Sequence, residues 1–392
     1  MNFILFDGTN RDRLLPFTFT RPVAEIRIGI LTIREKWEFL LKQKTSTLTQ
    51  DYLSVKFPLV TEDENIMING SVIPDEAFII LLLQLKPGMA VVQNGEKLAV
   101  CVKKEDVDSW ESSLFKEFSV NKPVTKINDV WDIYALNHQL IEQDFEMLTN
   151  NRKSKPLSAT NFVNGDPSLI FLEEGAQSEF AIFNTHDGPI YLGKDSDVME
   201  GAKIRGPFAL CEHSQVKMDA KIYTGTTIGP HSKVGGEISN SVIFGYSNKA
   251  HDGFLGNSVI GEWCNLGADT NVSNLKNTYD FVKLWSYVTK RFENTGQQFC
   301  GLMMGDHSKC GINTMFNTGT VVGVNANVFG EGYLRNFVPS FSWGGKQGMS
   351  QFKLDKAFQV ATAVFERRRM IFDDIEKNIL ANIYAMTFPK AD

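Results

Sequence analysis

The sequence is poor in the residues that mark exported, membrane-spanning or metal-built proteins. Its five cysteines (Cys101, Cys211, Cys264, Cys300 and Cys310) include no CxxC pair, which excludes the common zinc and dithiol motifs. Such thiols read as reduced packing residues of a cytoplasmic protein. No stretch approaches the roughly 20 apolar residues of a membrane helix. The opening residues lack a basic-then-apolar export pattern, so no membrane partner is expected. Net charge is −6, so no global field draws the chain to nucleic acid. With only six histidines in 392 residues, each merits inspection for chemistry. The length predicts two domains.

The strongest positive signal has a period of six. Leu192, Val198, Ile204, Leu210, Val216, Ile222, Ile228 and Val234 form one aliphatic column. Two residues before each lies a second column, small from Ser196 onward apart from Phe208. Six fits neither a helix nor a simple strand. It fits a hexapeptide coil in which three short strands make a triangular turn and the turns stack in parallel. The aliphatic residue is expected to point inward, with the small one at the corner. The register slips between Val234 and Ile260, then resumes at Met304, Cys310, Phe316, Val322, Val328 and Leu334. Residues 275–301 interrupt it and read as an excursion from one face. Prisms of this kind are mostly trimeric acyltransferases or their relatives.

Residues 1–160 read differently, as a short α/β layer with a linker. Asn2–Phe6 predicts a buried strand, and residues 22–42 a helix. Strands are expected at 65–69, 77–82, 90–93 and 99–103, the last two forming a hairpin across Asn94-Gly95. Residues 131–148 predict an amphipathic helix, and 150–156 a polar linker. The repeat domain is expected over 161–345, and a helical tail capping the solenoid over 346–392. In that tail, Arg367-Arg368-Arg369 reads either as a solvated face or as a contact for the phosphates of coenzyme A.

His251 stands where the hexad register breaks, so it is expected to face a cleft, as a general base would. The segment Lys249-Ala250-His251, followed by Phe254-Leu255-Gly256 and Asn265-Leu266-Gly267-Ala268, resembles the acetyltransferase domain of the bifunctional UDP-N-acetylglucosamine synthesis enzymes. The whole chain is similar to their divergent Bacteroidetes-type version. The resemblance implies a Rossmann-like nucleotidyltransferase domain joined to a left-handed parallel β-helix with a helical tail. It implies N-acetylation of glucosamine-1-phosphate by acetyl-CoA, then coupling to UTP. It makes His251 the base, places Lys249, Phe254, Asn265 and Arg205 by the substrate, and sets Ala268 and Asn274 by acetyl-CoA. It further implies a homotrimer.

The departures from the family are specific. Phe254 replaces a tyrosine, and the arginines expected after Gly206-Pro207-Phe208-Ala209 give way to Leu210-Cys211-Glu212. Arg205, Lys217, Lys249 and Lys276 are then the candidate phosphate cations. In the N-terminal domain the nucleotide loop retains one glycine, Gly8, with Arg11, Arg13 and Arg21 as candidate cations; Arg13 and Arg21 are favoured. Asn69-Gly70-Ser71-Val72 stands where the family holds Mg²⁺ with an aspartate, and serine is a poor ligand for that cation. Asp7 or Asp12 would have to substitute. His213 and His231, 18 residues apart, are expected to stack on one face without holding a metal. Two rival readings remain: a sugar-1-phosphate nucleotidyltransferase with a structural β-helix, and a non-catalytic sugar-nucleotide-binding scaffold.

Overall fold

A computed structural model describes residues 2–120 and 123–388. Met1, residues 121–122 and residues 389–392, which fall in the expected N-terminal domain and tail, lie outside that description. The chain divides into two compact units. One runs to Leu14 and resumes over Thr18–Ile26 and Leu31–Asp129; the other takes Leu15–Phe17, Arg27–Ile30 and the chain from Val130.

In the first unit, β1 (Asn2–Phe6) is buried along its whole length. It is followed by α1 (Ile33–Leu41), β2 (Ser46–Leu48), the single turn α2 (Asp51–Ser54), β3 (Glu64–Asn69), α3 (Glu76–Leu82), β4 (Met89–Gln93), β5 (Glu96–Lys103) and β6 (Lys116–Ser119). The sheet order is β2-β1-β3-β5-β4-β6. β1 is parallel to both neighbours, and β5 runs antiparallel to β3 and β4. The β4–β5 hairpin turns at Asn94 (φ 51°) and Gly95 (φ 80°), the geometry an Asn-Gly pair favours.

Two expectations here are corrected. The helix expected over 22–42 begins only at Ile33, because Thr32 and Glu35 form a capping box there and Gly29 upstream has φ 74°. Residues 77–82 are helical rather than extended. Asp75 caps that turn by accepting from the Phe78 amide, and Phe78 and Leu82 bury one face at i,i+4 spacing. A short apolar run does not separate these two states by itself.

The second unit is a parallel β-solenoid of three stacked sheets with six, nine and ten strands. In the regular coils partners are 18 positions apart, as in Ile190↔Phe208↔Thr226. The aliphatic column lines one continuous apolar core running from Ile170 to Val338, joined by Ile190, Ala202, Phe208 and Ala220 of the second column, whose Ser196, Ser214, Thr226 and Ser232 are buried too. The slip has a structural basis: Val234 pairs with Lys249, and Lys221 with Glu237. Gly235-Gly236 thus replaces a longer corner, with Gly236 at φ 72°. The interruption contains an antiparallel hairpin, Lys283–Ser286 with Arg291–Asn294, whose Trp285 stacks on Phe337 at 4.3 Å.

Helices α4 (Asp132–Ala135) and α5 (Asn137–Thr149) belong to this unit. Ile141 is buried with Ala209 and Cys211, and the Asn137 side chain donates to Gly225 O at 2.8 Å. The tail is two helices, α6 (Leu354–Glu366) and α7 (Asp374–Thr387). The chain breaks at Arg369, φ 58°, and restarts where Asp373 caps the Glu376 amide. Ala357, Ala361 and Phe365, one turn apart, form the buried stripe of α6.

Candidate active site on the solenoid

Two cavities meet at His251. The corner Ala250–Gly253 follows the two-residue strand Asn248–Lys249 and stands over the shortened corner Gly235-Gly236. A Cβ on Gly235 would approach Ala250 O to 2.6 Å, and one on Gly236 would approach Gly253 O to 2.7 Å. The glycine pair therefore lets this coil sit close while leaving a dent beside it. That dent opens into a cavity of about 880 Å³ lined by Met199, Lys217, Met218, His251 and Ala268. Asp252 and Asp269 give it an acidic edge.

The second cavity, of about 600 Å³, lies over the neighbouring sheet face. Register places Lys233, Asn248, Asn265 and Lys309 side by side on successive strands, and all four line the cavity with His251. Its far wall is Val364, Arg367 and Arg368 from the end of α6. No lining residue is acidic. Burial pushes the Lys309 ammonium down to about 8. Burial also lowers Lys233 and Arg368, reinforced by the positive charges around them. The His251 side chain is exposed and borders both spaces, a position suited to accepting a proton between two bound reactants.

An aromatic ladder fixes the α6 wall. His213, His231, Tyr246 and Trp263 stack along one corner at 4.8, 4.7 and 4.2 Å. Phe365 of α6 continues it at 4.1 Å from Trp263. Among the described residues, no cluster of three His, Cys, Asp or Glu side chains could hold a metal.

The structure brings together His251, Asn265, Ala268 and the candidate cation Lys217 from the expected set, and Lys249, Phe254, Asn274 and Arg205 lie apart. Lys249 is 2% exposed; it occupies the inward column opposite Val234 and donates to Gly235 O at 3.0 Å and His251 O at 2.9 Å. It therefore sits in the core behind His251, away from any ligand. Phe254 and Asn274 line neither cavity; both flank Gly256, and Asn274 donates to Asn257 at 2.8 Å. Arg205 lies 3.5 Å from Asp187 and borders a separate space of about 340 Å³ with Lys203, Lys221 and Tyr223. Lys233 and Lys309 were absent from the candidate phosphate cations, whereas Arg367 and Arg368 belong to the tail triplet read either as a solvated face or as a contact for the phosphates of coenzyme A.

In the first unit Gly8 fits closely: a Cβ there would lie 2.6 Å from Asn69 Nδ2. Arg11 is committed internally, donating to Thr18 O at 2.7 Å and the Tyr52 hydroxyl at 2.9 Å, with Asp7 at 3.4 Å. Arg13 pairs with Asp129 at 2.5 Å and remains 39% exposed, whereas Arg21 is buried. Asp7 accepts from Thr49 at 2.6 Å and the Val23 amide at 2.7 Å, and burial holds its carboxyl above the usual range. Asp12 is exposed beside Arg11. Ser71 is buried and donates to Asn69 Oδ1 at 2.8 Å. Asp7 and Ser71 are engaged with neighbouring groups and Asp12 pairs with Arg11, so these residues do not fit a Mg²⁺ site of the family's form.

A nucleotidyltransferase-like sheet joined to a hexapeptide solenoid defines a two-unit transferase. Residues 3–153 match a sequence profile described as sugar nucleotidyl transferase. A bifunctional sugar-1-phosphate nucleotidylyltransferase/acetyltransferase of Sulfurisphaera tokodaii is 27% identical over 384 residues, covering 83% of this chain and 95% of that protein. The bifunctional protein GlmU of Methanocaldococcus jannaschii is 29% identical over 167 residues, covering 43% of this chain and 33% of its own. An Arabidopsis UDP-N-acetylglucosamine acyltransferase structure aligns at 13% identity over 60% of this chain and 99% of its own, with a TM-score of 0.23. Along most of its length the chain is similar to the first of these bifunctional nucleotidylyltransferase/acetyltransferases.

Proposed function

We propose that the solenoid transfers an acetyl group from acetyl-CoA to the amine of an amino-sugar 1-phosphate, glucosamine-1-phosphate first among them. The observation that carries this reading is the single histidine bordering both cavities. The acceptor lies in the space that Asn265 lines, and the acetyl donor in the dent that Ala268 lines. The amine nitrogen attacks the thioester carbonyl while His251 takes its proton; the N–C bond forms, the C–S bond breaks, and CoA leaves as the thiolate. All five cysteines are buried; Cys264, which touches the cavity, donates its thiol to Gly305 O at 3.3 Å and is held well above the usual thiol range by burial, which favours direct transfer.

In this reading the protein acts as a cytoplasmic homotrimer. The N-terminal unit binds the nucleotide through Gly8 and Arg13, with Arg11 and Arg21 supporting the loop, and couples the acetylated sugar phosphate to UTP. The sugar nucleotidyl transferase profile supports that second activity.

Thiol release from acetyl-CoA, titrated with glucosamine-1-phosphate, tests the acetyl transfer. Loss of a positioned general base costs about 10²–10⁴-fold, and His251→Ala should lose that much with the fold intact. A well-folded protein that releases no thiol with any amino-sugar phosphate refutes the reading.

A further inference from the structure

The cavity beside His251 carries a concentration of positive charge that neither the apolar core nor the fold requires. Lys233 and Lys309 stand three strand steps apart on one sheet face, roughly 14 Å at about 4.8 Å per step. Arg367 and Arg368 face them from α6. Among the described residues none of these four groups forms an ion pair with a carboxylate, and the cavity wall has no acid. Like charges gathered in a partly dehydrated space oppose one another, and an anion of two or more charges reverses that penalty. The neighbouring cavity differs in this respect, since Asp252 and Asp269 offset Lys217 there.

The arginines are held in place. Phe365, two residues before Arg367, stacks on Trp263 at 4.1 Å and meets Phe372 edge-on at 5.3 Å. The Arg367 and Arg368 amides bond to Ala363 O and Phe365 O. The left-handed turn at Arg369 then takes the chain away, leaving both guanidinium groups at the rim. A planar guanidinium matches two phosphate oxygens at once, which an ammonium does not.

We infer that Arg367 and Arg368 of the tail helix, with Lys233 and Lys309 of the solenoid, form a phosphate-ester grip in the cavity that His251 borders. The assignment of the ester to an acetyl-transfer substrate rests on the function proposed above; the anion site itself does not. Two sources share this chemistry, the 1-phosphate of the acceptor sugar and the phosphates of CoA. In either case the tail helix completes the site, so the phosphate arginines missing after Ala209 are replaced from a distant part of the chain.

The test is equilibrium binding to the full-length protein, by calorimetry, of glucosamine-1-phosphate, glucosamine, acetyl-CoA and acetyl-pantetheine. Losing one charge-assisted contact weakens binding roughly ten- to hundredfold. Arg367→Gln/Arg368→Gln should weaken a phosphorylated ligand by at least that much and leave its unphosphorylated counterpart unchanged. Weakening confined to glucosamine-1-phosphate assigns the grip to the acceptor; weakening confined to acetyl-CoA assigns it to the donor. Lys233→Gln, on the solenoid itself, should act in the same direction, which undocking of the tail cannot explain. Unchanged affinity for both phosphorylated ligands in both variants overturns the inference. Binding lost in the variants of a protein that releases no thiol would retain the grip and sink the acetyl transfer.

Discussion

Lys249 provides a quantitative test of how the solenoid is built. It fills an inward position that belongs to an aliphatic residue, is 2% exposed, and its ammonium donates to two carbonyls, Gly235 O and His251 O. Burial lowers its pKa from 10.5 to about 8, with Asp252 and Asp269 opposing the change. At pH 7 the amine is charged in the folded and unfolded chains alike, so the full cost of burying the charge falls on the fold. Between about 8 and 10.5 the unfolded chain keeps a proton that the folded chain has released, so stability rises with pH across that window. At about 1.36 kcal/mol per pH unit, the relief between pH 8 and pH 9.5 is about 2 kcal/mol.

Lys249→Met removes this titration and retains an apolar stem of similar length. Unfolding free energies of both proteins, from urea titrations at fixed protein concentration, should be compared at pH 7 and pH 9.5. Lys309 and the tyrosines titrate in both proteins, so their contributions cancel in the comparison. The wild type should gain about 2 kcal/mol on the variant over this interval. Parallel profiles, or a wild type that loses ground, would refute the reasoning and show that the two carbonyls compensate the ammonium in full.

Two further outcomes follow from the same geometry. Phe365→Ala empties the stacked place against Trp263, and truncating a buried phenylalanine costs about 3–5 kcal/mol; limited proteolysis should then cleave the tail faster while the solenoid's circular dichroism persists, and glucosamine-1-phosphate or acetyl-CoA affinity should fall as in the arginine variants. Pyrophosphate should be released from UTP or dTTP with a sugar 1-phosphate, in Mg²⁺ buffer, and Arg13→Gln should lower that rate roughly tenfold or more while His251→Ala leaves it unchanged; a folded protein that releases none would leave the first unit a binding module.

The repeat was legible because its physics is periodic. A coil that closes every 18 residues demands an inward aliphatic every six, and Leu192 to Val234 meet the demand without exception. His251 was legible because a break in that count marks a corner that cannot stack normally. The sheet cations Lys233 and Lys309 were not, although their signal was present. Lys233, Asn248, Asn265 and Lys309 each directly precede an inward residue: Val234, Lys249, Leu266 and Cys310. Their separations are irregular, because two corners are shortened and the 275–301 excursion intervenes, so a fixed-period count passes them by. For Arg367 and Arg368 the sequence left two readings open, a solvated face and a contact for the phosphates of coenzyme A, and nothing local in a helical stretch announces that it ends over a distant sheet. In the first unit, α3 was misread because the seven consecutive apolar residues Ala77 to Leu83 carry no period, and only the Asp75 cap decides between helix and strand.

The same irregularities that defeat counting also create the site. A regular prism offers flat faces and convex edges, neither of which encloses a ligand. Removing residues at Gly235-Gly236 dents one edge and carries Lys249 into the inner column, where its bond to His251 O ties the histidine's backbone at the rim of the dent. One corner along, His213, His231, Tyr246 and Trp263 each hold φ between 52° and 61°, a region costing a non-glycine residue about 1–2 kcal/mol. Stacking returns about 0.5–1.5 kcal/mol per pair beyond area burial, so three pairs recover only part of the strain of four residues. Phe365 adds a fourth stacked pair, 4.1 Å from Trp263, and that contact docks α6. That contact converts a repeat with open faces into one with a walled, positively charged cavity, and it does so beside the one histidine that both cavities share.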